Sequence, residues 1–351
     1  MPIEVLIVGQ GLAGSLLAWA LMRRNLRVMV IDNGSENASQ VAAGLINPVT
    51  GQRLVKSADI NDLLPSAMHC YRRLSDAFQQ HFFVPLPMLR LLKNARERQY
   101  AEQRLSQADY RPFLTACPAA QAAVQAPYGA LLQARTGYLK TGLLLSRLRD
   151  YFIATASYRH MQFDYDALVL QPQLTWREFT PRHIVFCEGH LGRQNPWFGG
   201  LPFQPAKGEI LNCRGPAESP EHIINFGHWL IPTAAQQFKL GATFEPGLVD
   251  TRPSERARQV LLQGLSGAMP ALKPVEILSQ QAGIRPATLD KQPFIGSHPR
   301  HANLHIFNGF GAKGSLAIPW HAELFAAALR QQALLPVTAN IQRYYETHFS
   351  A

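Results

Sequence analysis

Three glycines near the N-terminus, Gly9, Gly11 and Gly14, have the spacing G-x-G-x-x-G. They follow an apolar run at 3–8 that is typical of a buried parallel strand, and they precede an apolar helical run. In such a turn the first glycine permits the bend, the second lets the backbone approach a diphosphate, and the third lets helix and strand pack closely. Because the helix N-terminus offers free N–H groups to an anion, the segment predicts a dinucleotide site.

Asp32 ends the second apolar strand, 27–32, at the distance from the glycines where a carboxylate accepts hydrogen bonds from a ribose. A lone glycine motif is a weak signal that a glycine-rich turn also explains, but here strand, turn, helix and acid occur together. The acid suits the adenosine ribose of either FAD or NAD. These residues alone therefore leave the choice of dinucleotide open.

Two further stretches place small residues where a backbone could approach a flat ligand. The first, 40–51, includes Ala43 and Gly44, and it could equally be a tightly packed turn. The second, 309–315, leads from an apolar strand at 304–308 into a helix. A turn of this kind directs backbone N–H groups towards a bound ligand, where they stabilise negative charge that develops on it.

Arg285 is the candidate for holding an anionic substrate. A guanidinium gives planar, bidentate hydrogen bonding to a carboxylate, which a lysine cannot reproduce. The alternative is a structural ion pair, with Asp290 as the expected partner.

Length and composition bound the class of protein. The 351 residues suggest two domains, and 47% hydrophobic with 17% charged residues is a globular composition with a sizeable core. The net charge of +10, from 34 Lys and Arg against 24 Asp and Glu, would attract anionic partners. Since the basic residues are dispersed, a solvated basic surface is favoured over binding to RNA, which stays open as an alternative.

The cysteines and the apolar runs indicate the compartment. Cys70, Cys117, Cys187 and Cys213 lack C-x-x-C spacing, so we expect thiols of a reducing compartment and no metal site. No run approaches the roughly eighteen apolar residues of a membrane span. The chain enters a strand by Ile3 without a basic region before it, so we expect no signal peptide and a cytoplasmic location.

Periodicity places the elements between these motifs. An amphipathic helix is predicted at 62–80, with Pro65 in its first turn, and a charged helix at 94–108. Thr141 is placed to cap a third helix that ends at Ala154. The predicted strands of the later chain are 158–163, 167–170, 174–179, 184–189 and a hairpin at 229–232 and 238–245.

Several of these segments resemble the D-amino-acid oxidase and glycine oxidase superfamily. The stretch 283–296 is similar, nearly position by position, to the family signature Gly-x-Arg-Pro-x-Thr-x-Asp-x-x-Pro-x-Ile-Gly. The segment 39–48 resembles the family's second cofactor loop, and 184–189 its strand that closes over the dinucleotide. The segments 205–211 and 229–243 resemble the strands of its substrate domain.

The resemblance implies an α/β fold with two domains. The first is a Rossmann-type FAD-binding domain, like that of glutathione reductase, built from 1–77, 141–204 and 283–351. The second is an α+β substrate domain on a mixed or antiparallel sheet, built from 78–140 and 205–282. The pocket would lie between them.

The resemblance also implies the cofactor and its contacts. The cofactor would be FAD, and it would be non-covalent because 281–284 holds no cysteine at the place where some members attach the flavin. The expected cofactor-binding residues are Gly9, Gly11, Leu12, Ala13, Gly14, Asp32, Asn33, Ser39, Ala43, Gly44, Leu45, Gly189, Gly309, Phe310, Gly311, Ala312, Lys313 and Gly314.

Four residues have implied or possible roles with the substrate. Arg285 would hold the substrate carboxylate so that the Cα–H points at the flavin. Trp229 would line the pocket, or only pack on its sheet. Lys313 could stabilise the reduced ring or activate oxygen, or be a surface lysine. For Glu188, a solvated or hydrogen-bonded carboxylate is favoured over a catalytic acid.

The implied activity is removal of a hydride from the carbon next to an amine, in a small amino acid or an N-substituted glycine. The alternative enzyme is an oxidase of carboxymethylaminomethyl-uridine in tRNA, and a third hypothesis is a non-catalytic flavin-binding module. The turn at 310–313 departs from glycine oxidase, and 78–140 and 214–281 match few motifs. The sequence therefore leaves the amine, the electron acceptor and the oligomeric state open.

Overall fold

The computed structural model describes residues 3–35, 38–117, 124–216 and 219–349. The strands of this part of the chain are, in order, β1 (Val5–Val8), β2 (Val28–Asp32), β3 (Leu45–Ile46), β4 (Val49–Thr50), β5 (Val55–Lys56), β6 (Phe83–Pro85), β7 (Met88–Leu91), β8 (Leu114–Cys117), β9 (Ala130–Gln133), β10 (Gly137–Leu139), β11 (Tyr158–His160), β12 (Leu168–Val169), β13 (Thr175–Trp176), β14 (His183–Phe186), β15 (Ala206–Arg214), β16 (Ile223–Asn225), β17 (Trp229–Ala234), β18 (Gln237–Gly241), β19 (Glu245–Pro246), β20 (Glu276–Arg285), β21 (Phe294–Ser297) and β22 (Leu304–Asn308). The α-helices are α1 (Leu12–Met22), α2 (Ala38–Val41), α3 (Ile60–Phe78), α4 (Ala95–Ser106), α5 (Thr141–Ala154), α6 (Glu255–Ala268), α7 (Gly314–Ala328) and α8 (Tyr345–His348).

The first sheet, which we call the parallel sheet, has six strands in the order β11-β2-β1-β14-β22-β21. Only β21 runs antiparallel to its neighbour. Val5 and Ile7 of β1 pack under α1, α3, α5 and α7, whereas Leu6 and Val8 pack on the aromatic cluster around Trp176. Because both faces are covered, β1 and β2 are buried along their whole length.

The second sheet, which we call the large sheet, has nine strands. Their order is β19-β15-β18-β17-β16-β7-β9-β8, with β20 on the other side of β15. Its pairs are antiparallel except for β16 and β7. On one face, Leu211 and Leu240 pack on Leu261 and Leu265 of α6. The opposite face carries Trp229 and a smaller apolar group, and it faces the cavity described below.

This architecture confirms the predicted α/β fold with mixed sheets. The division into domains at 1–77, 141–204 and 283–351 stays a prediction. A three-stranded antiparallel sheet, β3-β10-β6, joins segments that the prediction places in different domains. No helix in the described ranges is both long enough and apolar enough to cross a membrane.

Two local predictions were wrong. Helix α3 begins at Ile60, so Pro65 lies inside the helix rather than in its first turn. Thr141 does not cap α5, because Lys140 occupies the cap position without a side-chain hydrogen bond. The hydroxyl of Thr141 instead donates to the carbonyl oxygen of Ala42, 2.9 Å away. This acceptor belongs to the stretch of small residues at 40–51, which is distant from Thr141 in sequence. The residues around Thr141 therefore do not indicate it.

The turn between β1 and α1 depends on two glycines. Gly9 has a backbone φ of +102°, which residues other than glycine rarely adopt. A Cβ on Gly14 would overlap the carbonyl oxygen of Gly9. The helix therefore starts directly against the end of the strand, as the motif predicts.

We predict that Gly14→Ala lowers the free energy of unfolding by about 1–3 kcal/mol, because neither backbone can move away from the added methyl group. The matched control is Gly267→Ala in α6, where an added Cβ meets nothing within 4 Å. That substitution should leave stability unchanged or raise it by up to about 1 kcal/mol, since alanine favours the helix. Urea unfolding of both variants measures the difference. Equal stabilities of the two variants would contradict the close packing at Gly14.

Candidate active site

A cavity of about 600 Å³ runs from the carboxyl ends of β1, β2 and β14 to the face of the large sheet. Its lining includes Gly9 and Asp32 at one end and Trp229 and Arg285 at the other. The volume lies within the range of cofactor sites in proteins. The cavity follows the rule that ligands of open α/β sheets bind beyond the carboxyl ends of the strands.

Asp32 is nine-tenths buried at the end of β2. Its Oδ2 accepts the backbone N–H of Gln10 at 2.7 Å, and its Oδ1 accepts that of Gly34 at 2.8 Å. A carboxylate oxygen can accept more than one hydrogen bond, so each oxygen of Asp32 keeps a lone pair for a hydroxyl group in the cavity. The carboxylate is thus held rigidly, and it fits the predicted contact with a ribose.

The start of α1 contacts α2. The backbone N–H of Leu12 donates to Oγ of Ser39 at 3.0 Å. Ala13 and Ala43 lie in the lining of the same cavity. The first N–H groups of a helix have no partner within the helix, so this corner fits an anion such as a diphosphate.

Most of the predicted cofactor-binding residues line the cavity. The exceptions are Gly14, which packs on Gly9, and Gly309, where an added Cβ would lie 2.8 Å from Cγ2 of Thr288. Asn33 lines the cavity, and its side chain donates to Gln162 at 2.7 Å. The contacts of these residues with a cofactor remain a prediction.

Arg285 ends β20, and its side chain crosses the neighbouring strand β15. Its guanidinium donates to the carbonyl oxygens of Lys207 at 3.2 Å and Thr243 at 3.1 Å. A Cβ on Gly208 would overlap Nη2 of Arg285, so only glycine leaves room for the guanidinium on β15. The two carbonyls fix the guanidinium in the cavity wall and leave other N–H donors for a ligand.

The alternative of an ion pair between Arg285 and Asp290 was wrong. Asp290 accepts hydrogen bonds from Nε of Arg343 at 2.9 Å and from the hydroxyl of Tyr344 at 2.8 Å. Within the described residues no carboxylate forms a salt bridge with Arg285. A partly buried guanidinium without a carboxylate partner is suited to bind one from a ligand.

Trp229 and Lys313 both line the cavity. The indole of Trp229 lies over Gly241, where an added Cβ would be 2.8 Å from Cη2. Trp229 therefore both packs on the sheet and lines the cavity. Lys313 lies in the short turn before α7, and desolvation and the charge of Lys291 lower its pKa. Its role stays a prediction.

Glu188 follows β14 and is hydrogen-bonded. The hydroxyl of Tyr165 donates to Oε1 at 2.5 Å, and Nδ2 of Asn195 donates to Oε2 at 2.9 Å. Burial raises the pKa of Glu188 to about 7, although both hydrogen bonds favour the ionised form.

Sequence reasoning missed several residues of the cavity wall. Asn308 donates to the carbonyl oxygen of Gly189 at 2.9 Å and accepts the N–H of Gly309 at 2.8 Å, so it ties the ends of β14 and β22 together. Tyr165 comes from a loop without a pattern. Arg90 carried a signal, because it is a single charge within the apolar run of β7.

The fold and the cavity together define a protein that binds a dinucleotide. The chain belongs to the DAO family of FAD dependent oxidoreductases, and the match covers residues 4–328. The cofactor is therefore FAD, as predicted. Its non-covalent attachment stays a prediction.

Among sequence relatives, the chain is 24% identical to a glycine oxidase of Geobacillus kaustophilus over 90% of each chain. It is also 24% identical, over 94% of its length, to the tRNA 5-methylaminomethyl-2-thiouridine biosynthesis bifunctional protein MnmC of Chromohalobacter salexigens. The chain matches only 54% of that relative's length, about half of it.

Among solved structures, a glycine oxidase of Geobacillus kaustophilus superposes with a TM-score of 0.82 at 21% identity, and 97% of each chain is covered. An iminodiacetate oxidase of Chelativorans sp. BNC1 gives 0.79 at 22% identity, over 97% of this chain and 98% of the other. At these identities the likeness shows that the fold is shared.

The raised pKa of Glu188 predicts a pH-dependent stability. Between about pH 4.5 and 7 the folded protein keeps a proton that the unfolded chain releases, so stability present below pH 4.5 is lost as the pH rises. The loss is at most about 3 kcal/mol. Urea unfolding with saturating FAD should show this loss in the wild type and a flatter profile in Glu188→Gln. The exposed Glu178→Gln is the control. A wild-type profile shared by Glu188→Gln would contradict the shift.

Proposed function

We propose that the protein oxidises the carbon next to the nitrogen of a small amino acid or an N-substituted glycine, which leads to oxidative deamination or dealkylation. The observation that carries this proposal is Arg285. Its guanidinium is held in the cavity wall by two backbone carbonyls and has no salt bridge with a described acid. A substrate carboxylate would supply that partner.

The residues of the large sheet would position the substrate. Arg285 binds the carboxylate in the plane of its guanidinium, which fixes the direction of the adjacent Cα–H bond. Trp229 provides a flat apolar wall that excludes water from the same space. FAD, when bound, supplies the acceptor for the hydride. Lys313 would place a positive charge near the start of α7, where it would stabilise the reduced, electron-rich flavin ring.

Relatives support an amine as the substrate class. The names of the glycine oxidase and the iminodiacetate oxidase describe oxidation of two compounds that share a carboxymethyl group on nitrogen. In such compounds the carboxylate lies one bond from the oxidised carbon. One arginine on the cavity wall could therefore bind the carboxylate of either compound.

A second candidate is oxidation of a carboxymethylaminomethyl group on a uridine of tRNA. Relatives named for tRNA 5-methylaminomethyl-2-thiouridine biosynthesis match the chain over almost its whole length. The net charge of +10 would favour a nucleic acid. The same arginine would serve, because this substrate also ends in an N-substituted glycine.

We predict that Arg285→Ala slows anaerobic bleaching of the bound flavin by about 10²–10⁴-fold at subsaturating substrate, since two charged hydrogen bonds are lost. Arg214→Ala is the control, because Arg214 lies on the same sheet and forms an exposed pair with Glu276. Arg214→Ala should bleach at the wild-type rate. Wild-type bleaching by Arg285→Ala would contradict the proposed role of this residue.

The choice of compounds separates the two candidates. Glycine, sarcosine, D-amino acids and D- and L-proline are compared with tRNA that carries the modified uridine. Bleaching by a small amine supports the first candidate. Bleaching by tRNA alone, with affinity that falls as salt rises, would replace it by the second. Flavin that none of these compounds reduces would overturn both.

A further inference from the structure

A second arginine, Arg90, lies in the wall of the same cavity. It lies within β7 and is only 5% exposed. Within the described residues its guanidinium donates no hydrogen bond of 3.5 Å or less; Nη2 lies 3.7 Å from Oε2 of Glu97, and Nε is buried without a partner. Oε2 of Glu97 is also shared with the backbone N–H of Lys93. Arg90 is therefore a buried cation whose hydrogen-bonding capacity is largely unused.

Asn225 is the neighbour of Arg90 on the cavity side. It lies opposite Arg90 in the pairing of β16 with β7, so both side chains project from the same face of the sheet. Asn225 also lines the cavity, and its side chain has no hydrogen-bond partner in the part of the chain that the structure describes. An amide donor and a guanidinium thus lie side by side, and both are open to a ligand.

Charge is distributed unevenly along the cavity. The acids of its lining, Asp32 and Glu188, lie at the carboxyl ends of strands in the parallel sheet. Arg90, Arg285 and Lys313 supply the cations of the lining. Glu97 lies behind Arg90, outside this lining. One substrate carboxylate on Arg285 would leave Arg90 with the buried carboxylate of Glu97, 3.7 Å from Nη2, as its counter-ion, and most of its N–H donors would still have no acceptor.

The two arginines are too far apart to share one small carboxylate. The guanidinium of Arg285 rests on Gly208 of β15, and β7 is four strands away across β18, β17 and β16. Four strand spacings correspond to about 19 Å between the backbones of a flat sheet. Twist of the sheet and the length of the Arg90 side chain shorten this distance, but a separate binding place remains.

We propose that Arg90 and Asn225 form a second anion site, and that the substrate carries a second oxyanion remote from the oxidised carbon. This inference rests on the proposed function, and it narrows the substrate class to amino acids or N-substituted glycines with a distal carboxylate or phosphate. Arg90 binds two oxygens of that group, and Asn225 donates one further hydrogen bond.

The probes are N-carboxymethyl ω-amino acids with increasing numbers of methylenes between nitrogen and the distal carboxylate. Each is compared with its ω-amide, which is uncharged and similar in shape, and with its ω-phosphonate. Binding to the FAD-loaded protein is measured by calorimetry without oxygen, and bleaching of the flavin is followed in parallel. At the chain length that spans the site, the ω-carboxylate should bind about 10- to 100-fold more tightly than the ω-amide. A phosphonate that exceeds the carboxylate would identify the distal group as a phosphate.

The matched variant is Arg90→Gln combined with Glu97→Gln, because Arg90→Gln alone would leave the Glu97 carboxylate buried and unpaired. The double variant should bind ω-carboxylate and ω-amide equally. Glu97→Gln alone should increase the preference for the carboxylate, because it removes the nearest negative charge. Arg98→Gln combined with Glu102→Gln is the matched control, since these two side chains are exposed on α4 and pair with each other. It should keep the wild-type preference.

Equal binding of carboxylate and amide by the wild type at every chain length would overturn the proposal. A preference that survives in the double variant would do the same. Carboxylate preference without bleaching by any probe would support the anion site and refute the proposed oxidation. Bleaching of the flavin without a preference for the carboxylate would support the proposed oxidation and refute the anion site.

Discussion

The placement of Arg285 on Gly208 is the constraint on which the candidate site depends. The guanidinium reaches the cavity only because strand β15 has no side chain at that position and because two carbonyls accept its hydrogen bonds. A positive charge in this wall is costly unless a ligand provides the counter-ion. On the proposed function, the geometry of β15 and β20 would determine where a substrate carboxylate binds, and with it which carbon faces the cofactor.

The cavity joins two kinds of surface with different chemistry. At the parallel sheet, strand ends present backbone N–H groups and the rigid carboxylate of Asp32, which suit a dinucleotide. At the large sheet, side chains project across flat strands, and the positions of Trp229 and Arg90 follow from strand register. The first surface is formed by short-range turns at the ends of strands. The second depends on which residue each strand places on the cavity face, so it can differ between relatives of the same fold.

The sequence predicts the first of these surfaces better than the second. Gly9, Gly14 and Asp32 lie within one strand-helix-strand unit, β1-α1-β2, so their spacing alone predicts their arrangement. The site of Arg285 was predicted from a local signature, but its partners were not, because Lys207 and Thr243 are distant in sequence and meet it only through pairing of β15. Thr141 was assigned to a helix cap from its neighbours, whereas a carbonyl from another loop takes its hydroxyl. Arg90 showed only as a charge in an apolar strand, and its place in the cavity requires the register of the large sheet.

The most direct test of the account is a crystal structure of the FAD-loaded protein with acetate, a carboxylate that has no amine to be oxidised. Both acetate oxygens should lie about 2.7–2.9 Å from N–H donors of Arg285, with the methyl group towards the flavin ring. Acetate bound elsewhere in the cavity, with the Arg285 guanidinium touching only the carbonyls of Lys207 and Thr243, would contradict it.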